Sequence, residues 1–162
     1  MMRFFDDLQI GDRADIGSHR FTAEEIKTFA RQYDPQVFHV DEALAAQSSF
    51  GALVASGWHT ASMWMRKMVD YRQREAEALR AQGLPVPTFG PSPGFRELRW
   101  HKPVFAGDTI SYATEVIAKR VSQSRPEWGL TTIRNSGTNQ HGEPVLSFVS
   151  TAFIERRDKS PE

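Results

Sequence analysis

The chain of 162 residues contains no cysteine. That excludes disulfides, thiolate nucleophiles and cysteine-ligated zinc. It also lacks any apolar run approaching the roughly 18 residues needed to cross a bilayer, so no membrane partner is expected. Neither sign of charge dominates, with 20 Lys+Arg against 20 Asp+Glu. Such a chain has no global field for gripping nucleic acid or an acidic surface. The first eleven residues carry Asp6 and Asp7 and no uninterrupted apolar stretch, unlike a secretory signal. A cytoplasmic protein of one domain, residues 1–162, is the simplest expectation.

What is present is an ordered series of elements. Thr22 and Glu25 form a capping-box pattern, and Ile26, Phe29 and Ala30 follow at helical spacing, predicting a helix over 22–33. Pro35 ends it, because the residue before a proline is pushed out of the α region. Asp41 reads as the N-cap of a short helix over 42–47. His39 is therefore expected in a loop between two helices, where it can turn back toward Asp34. From Ser56 a long helix is expected, apolar on nearly all sides through Trp58, Met63, Trp64, Met65, Met68 and Val69. It turns polar after Asp70 and stops at Gly83.

Residues 83–94 hold four prolines and three glycines and predict a long surface loop, a length typical of lids and partner contacts. Strands are expected over 13–20, 95–104, 109–121, 130–139 and 145–154, the last two joined by a hairpin at His141-Gly142-Glu143. Residues 156–162 read as a flexible C-terminal tail. One buried helix followed by antiparallel strands predicts an α+β fold with the sheet wrapped around the helix.

The chemistry-bearing residues cluster early. Asp34 and His39 lie five apart, and Gly57 opens the long helix. A carboxylate and an imidazole can share a water as general acid and base. A backbone N–H at the positive end of a helix dipole can hold a developing oxyanion. Each residue also has a plainer reading: Asp34 as a helix terminator, His39 as a hydrogen-bonded surface histidine, Gly57 as easy passage into the helix. His59 reads as a packed core histidine. His19, His101 and His141 have no ligand spacing, so no metal is expected. Arg66, Lys67, Arg72 and Arg74 form a basic stretch that suits either solvent or the phosphates of a coenzyme.

Together, Asp34-Pro35-Gln36-Val37-Phe38-His39, the Asp41-capped short helix, Ala55-Ser56-Gly57, Arg99-Trp100-His101-Lys102-Pro103-Val104 and Gly107-Asp108-Thr109 resemble the MaoC-like dehydratases, which include the (R)-specific enoyl-CoA hydratases. The likeness runs from about Phe4 to Ile154. It departs from the family pattern at three places: Gln36 stands for Asn, the proline is displaced to position 35, and Ser56 precedes the glycine.

The resemblance implies a hot-dog fold, catalytic Asp34, His39 and Gly57, and no cofactor. The expected substrate is a coenzyme A or acyl-carrier thioester, with Gly57 leaving room for its close approach. It also implies a homodimer or higher homo-oligomer. The reaction implied is reversible water addition to a trans-2-enoyl thioester, giving an (R)-3-hydroxyacyl thioester. A thioesterase and a non-catalytic acyl-thioester-binding protein are the alternatives.

Overall fold

A computed structural model describes residues 2–157. Ten elements follow in order: a 3-10 turn at Phe5–Asp7, β1 (Arg13–Arg20), α1 (Ala23–Tyr33), α2 (Val37–Val40), α3 (Glu42–Ala46), α4 (Gly57–Ala81), β2 (Gly94–Trp100), β3 (Thr109–Val121), β4 (Trp128–Thr138) and β5 (Pro144–Glu155). The strands form one antiparallel sheet in the order β1-β3-β4-β5-β2. The sheet and the long helix make the α+β hot-dog arrangement that the resemblance implies.

Local chemistry explains most element boundaries. The Thr22 side chain accepts from the Glu25 N–H and the Glu25 carboxylate from the Thr22 N–H, closing the predicted capping box at α1. Asp41 caps α3 by accepting from Leu44 N–H at 2.9 Å. Gly83 takes a φ of +67° just past α4, a conformation that L side chains avoid. β2 ends at Trp100, short of the expected 104. His101 N–H still donates to Val145 O of β5, and Pro103 has no N–H to carry the ladder further.

α4 packs one face on the sheet. Trp64 and Met68 join Ile16, Phe21, Ile110, Tyr112 and Leu146 in the core. The Tyr112 hydroxyl donates to the Thr60 carbonyl at 3.0 Å, fixing the first turns of the helix to β3. The expectation of a helix buried on all sides is corrected here. Trp58 is 52% exposed, Met65 54% and Val69 42%. They recur at helical spacing and so share one exposed flank of the helix.

The 83–93 segment crosses the surface as expected and runs beside β5. Gly90 N–H donates to Phe153 O, and Glu155 N–H donates to Thr88 O. Of the expected tail, residues 158–162 lie outside the described residues. Arg156 and Arg157 are held: Arg156 is buried and donates to Pro126 O and Asp6, while Arg157 bonds Asp6 and Asp7.

Candidate active site

Asp34 ends α1, and its carbonyl accepts from Gln36 N–H at 2.8 Å in a tight turn around Pro35. Gln36 then caps a single helical turn, α2, which carries His39. The expected loop is thus a four-residue helix, closed by Asp41 N–H on Val37 O. One turn is too short to display a periodicity in sequence. It still does the expected work of bringing His39 back toward Asp34.

The opposite wall is the buried segment Leu53-Val54-Ala55-Ser56. Val54 N–H donates to Phe38 O, and Ala55 N–H donates to Val104 O. That segment delivers Ser56 and Gly57 to the start of α4, at a cavity of about 460 Å³ lined by Asp34, His39, Ser56, Gly57, Trp58 and Trp100 among others. The three residues singled out in the sequence therefore converge.

The hydrogen bonds define the protonation pattern. His39 is buried, and its Nδ1 lies 2.7 Å from the Val54 carbonyl. A carbonyl only accepts, so Nδ1 carries a proton and Nε2 is the ring atom turned to Asp34. Nε2 faces Asp34 Oδ2 at 3.4 Å. The carboxylate accepts from Ser56 Oγ at 2.7 Å and from Gln36 Nε2 at 2.8 Å. Burial pushes the Asp34 pKa up, but the bonds from Ser56 and Gln36 and the adjacent His39 outweigh it. The net shift is below the ordinary carboxylate value. Asp34 is thus a carboxylate at neutral pH. With the His39 ring neutral, Nε2 and Oδ2 are two acceptors 3.4 Å apart, and a water can donate one hydrogen to each.

Gly57 opens a helix of 25 residues, so its N–H belongs to the unsatisfied first turn at the positive end of the dipole. A Cβ on Gly57 would sit 2.3 Å from Trp100 Cε2 and 2.4 Å from Trp100 Nε1. In this structure the glycine therefore makes room for the indole of Trp100. That indole is held in turn edge-to-face with Trp58, ring centroids 5.3 Å apart.

Sequence reasoning marked Gln36 and Ser56 only as departures from the family pattern and gave Trp100 no role. Ser56 both caps α4 and donates to Asp34. Its place before Gly57 was the available signal, because a serine preceding a helix start is a capping residue. Trp100 had no signal beyond its membership of the resembling segment.

His59, in the first turn of α4, stacks on Phe29 with centroids 4.5 Å apart and meets Phe21 edge-on at 5.0 Å. It is 5% exposed, its Nδ1 has no partner, and burial lowers its pKa to about 4. The sign of the pH effect follows. Above the unfolded value of roughly 6.5 both states hold a neutral ring. As pH falls from there, the unfolded chain takes up a proton that the folded chain refuses until about pH 4. Stability is therefore lost across that window, by about 3 kcal/mol in all. His59→Phe should keep the stack and flatten this part of the stability–pH curve. Equal acid slopes for the two proteins in urea unfolding would contradict that.

The remaining basic candidates diverge. Arg66 is paired with Asp70 on the exposed face of α4, and Arg72 turns into a separate cavity. Among the described residues no three His, Asp or Glu side chains converge as metal ligands.

A family model described as MaoC like domain matches residues 9–136. A solved MaoC-like dehydratase from Rhodospirillum rubrum is 38% identical, with a TM-score of 0.77 over 96% of this chain and 99% of that one. The (R)-hydratase from A. caviae is 25% identical with a TM-score of 0.61, over 93% and 98% of the two chains. Mesaconyl-CoA hydratase of Cereibacter sphaeroides is 42% identical over 65 residues, which is 40% of this chain and 19% of the hydratase. The matched segment thus spans about a fifth of that relative's length. With a family model covering most of its length and a relative of this identity matched end to end, the chain belongs to the MaoC-like domain family.

Proposed function

We propose that the protein is a hydratase/dehydratase that reversibly adds water to a trans-2-enoyl thioester, giving an (R)-3-hydroxyacyl thioester. The observation that carries this reading is the Asp34–His39 pair, Oδ2 and Nε2 3.4 Å apart beside the N-terminus of the long helix. A water donating to Asp34 Oδ2 and His39 Nε2 presents its oxygen to the β-carbon. As the C–O bond forms, one water proton passes to the pair, with Asp34 as the principal base and His39 orienting the water and sharing the proton. The electrons of the double bond move onto the thioester carbonyl, where the Gly57 N–H stabilises the enolate oxygen. The pair then returns the proton to the α-carbon, which balances the addition and regenerates both residues. Ser56 and Gln36 hold the carboxylate in place through its two oxygens. Trp58 and Trp100 supply apolar wall for the acyl part.

The (R)-hydratase of A. caviae and the mesaconyl-CoA hydratase support the reaction class. A thioesterase would use water at the carbonyl carbon instead. The two reactions separate in one assay on trans-2-enoyl-CoA substrates of several chain lengths. Loss of the conjugated thioester absorbance without release of free thiol is the expected outcome. Stoichiometric thiol release would replace the hydratase reading with hydrolysis.

We further propose a homodimer. β2 pairs only with β5 and so leaves one edge of the sheet open. Phe95 (59% exposed) and Trp100 (46%) lie on that strand, and Trp58, Met65 and Val69 expose apolar surface on α4. A second copy joined across a two-fold axis would cover both surfaces. Sedimentation equilibrium should return twice the chain mass, and Phe95→Glu should shift it toward the single-chain mass. A wild-type protein that stays monomeric at micromolar concentration would rule the dimer out.

A further inference from the structure

A second cavity lies between the middle of α4 and the sheet. It measures about 100 Å³ and shares no lining residue with the catalytic cavity. Much of its wall is apolar, with Met68, Val116, Ile133 and Ile154. Two polar groups in it stand out, a buried hydroxyl with no partner and a cation with no counter-ion. Thr131 is fully buried, and its Oγ1 has no hydrogen-bond partner. Arg72 lays its guanidinium on the Phe89 ring, 4.1 Å from the centroid, and is half-buried. Among the described residues no carboxylate stands within ion-pairing distance of it. Burial accordingly draws its pKa down, with no neighbouring acid acting the other way. Asp12 is the one acid among the lining residues, and it is already engaged by Arg3 and the Gln9 N–H, both at 2.8 Å. A half-buried cation with no counter-ion and a buried hydroxyl with no partner are both groups that a ligand can satisfy.

We infer that this cavity binds a short aliphatic carboxylate, with its head group on the Arg72 guanidinium, the Thr131 hydroxyl as a second donor, and its hydrocarbon tail against Met68 and Ile133. Arginine and a carboxylate make charge-assisted bonds through a fork geometry. The apolar wall favours a tail over a bare anion. The small volume excludes anything of coenzyme size. The site stands apart from the hydratase chemistry and does not depend on it.

The test is a titration of the ¹⁵N-labelled full chain with sodium hexanoate, beside hexanol and sodium sulfate at constant ionic strength. Saturable shifts at the amides of Phe89, Thr131 and Ile154 are expected with hexanoate. Hexanol, which lacks the charge, should bind at least about tenfold more weakly. Arg72→Met should weaken hexanoate by about tenfold or more. If that variant does not fold, Thr131→Val, which keeps the guanidinium, should weaken it by about threefold or more. The inference is overturned if hexanol binds as well as hexanoate or if the variants bind unchanged. It is equally overturned if sulfate matches hexanoate, or if hexanoate shifts Gly57 and Trp58 in place of these three amides.

Discussion

Asp34→Asn should lower turnover of an enoyl-CoA by about three orders of magnitude while leaving the fold intact. The amide is nearly isosteric with the carboxylate. Its oxygen still accepts a bond, and the Ser56 hydroxyl can rotate to accept from the new NH₂, so both contacts on the side chain can be kept. Urea unfolding should therefore differ by no more than about 1 kcal/mol. What disappears is the acceptor for the water's proton. In the wild type, hydrogen bonds from Ser56 and Gln36 and the neighbouring His39 keep this carboxyl ionised despite its burial. His39 alone can still accept from water, which is why a residual rate is expected rather than none. An Asp34→Asn enzyme within about tenfold of wild type would remove Asp34 from the chemistry.

Gly57→Ala should do two kinds of damage that a second substitution separates. Within a helix, alanine is favoured over glycine by about 1 kcal/mol. Here the added carbon would stand 2.3 Å from Trp100 Cε2, well inside contact distance. The indole must move, breaking its edge-to-face contact with Trp58. Overpacking of this kind costs about 1–3 kcal/mol, so the net effect should be destabilising by about 1 kcal/mol. Turnover should fall by about tenfold or more, because the methyl group stands beside the N–H proposed to hold the enolate oxygen. In a Trp100→Ala background the stability penalty should vanish or reverse, while the loss of turnover persists. Full activity for Gly57→Ala would exclude close approach of the thioester at this position. A stability penalty unchanged in the Trp100→Ala background would exclude the indole as its cause.

Much of this architecture is legible because it rests on local rules. The capping box at Thr22 and Glu25, the Asp41 cap, the strand spans 13–20 and 109–121, and the stop at Gly83 each depend on a few neighbouring residues. The convergence of Asp34, His39 and Gly57 was legible for a similar reason, since a proline-induced turn brings the first two together. What escaped notice depends on long-range packing. The bond from Ser56 to Asp34 joins residues 22 apart. The indole of Trp100 reaches Gly57 only because β2 crosses to the far edge of the sheet, past α4. The apolar outer face of α4 was misread as core because Trp58, Met65 and Val69 carry no mark that separates a buried wall from an exposed one. Arg72 turns inward in the midst of a basic run that suggested solvent or phosphates. One-dimensional charge patterning does not report which arginine the helix points at the sheet.

The most direct test of the central claim runs the reaction backward with the two enantiomers. Purified protein is given (R)-3-hydroxyacyl-CoA or its (S) counterpart, and the conjugated thioester absorbance is followed, with Asp34→Asn alongside. The account predicts that absorbance appears from the (R) substrate alone and is lost in the variant. Absorbance from the (S) substrate, or equal rates for wild type and Asp34→Asn, would contradict it.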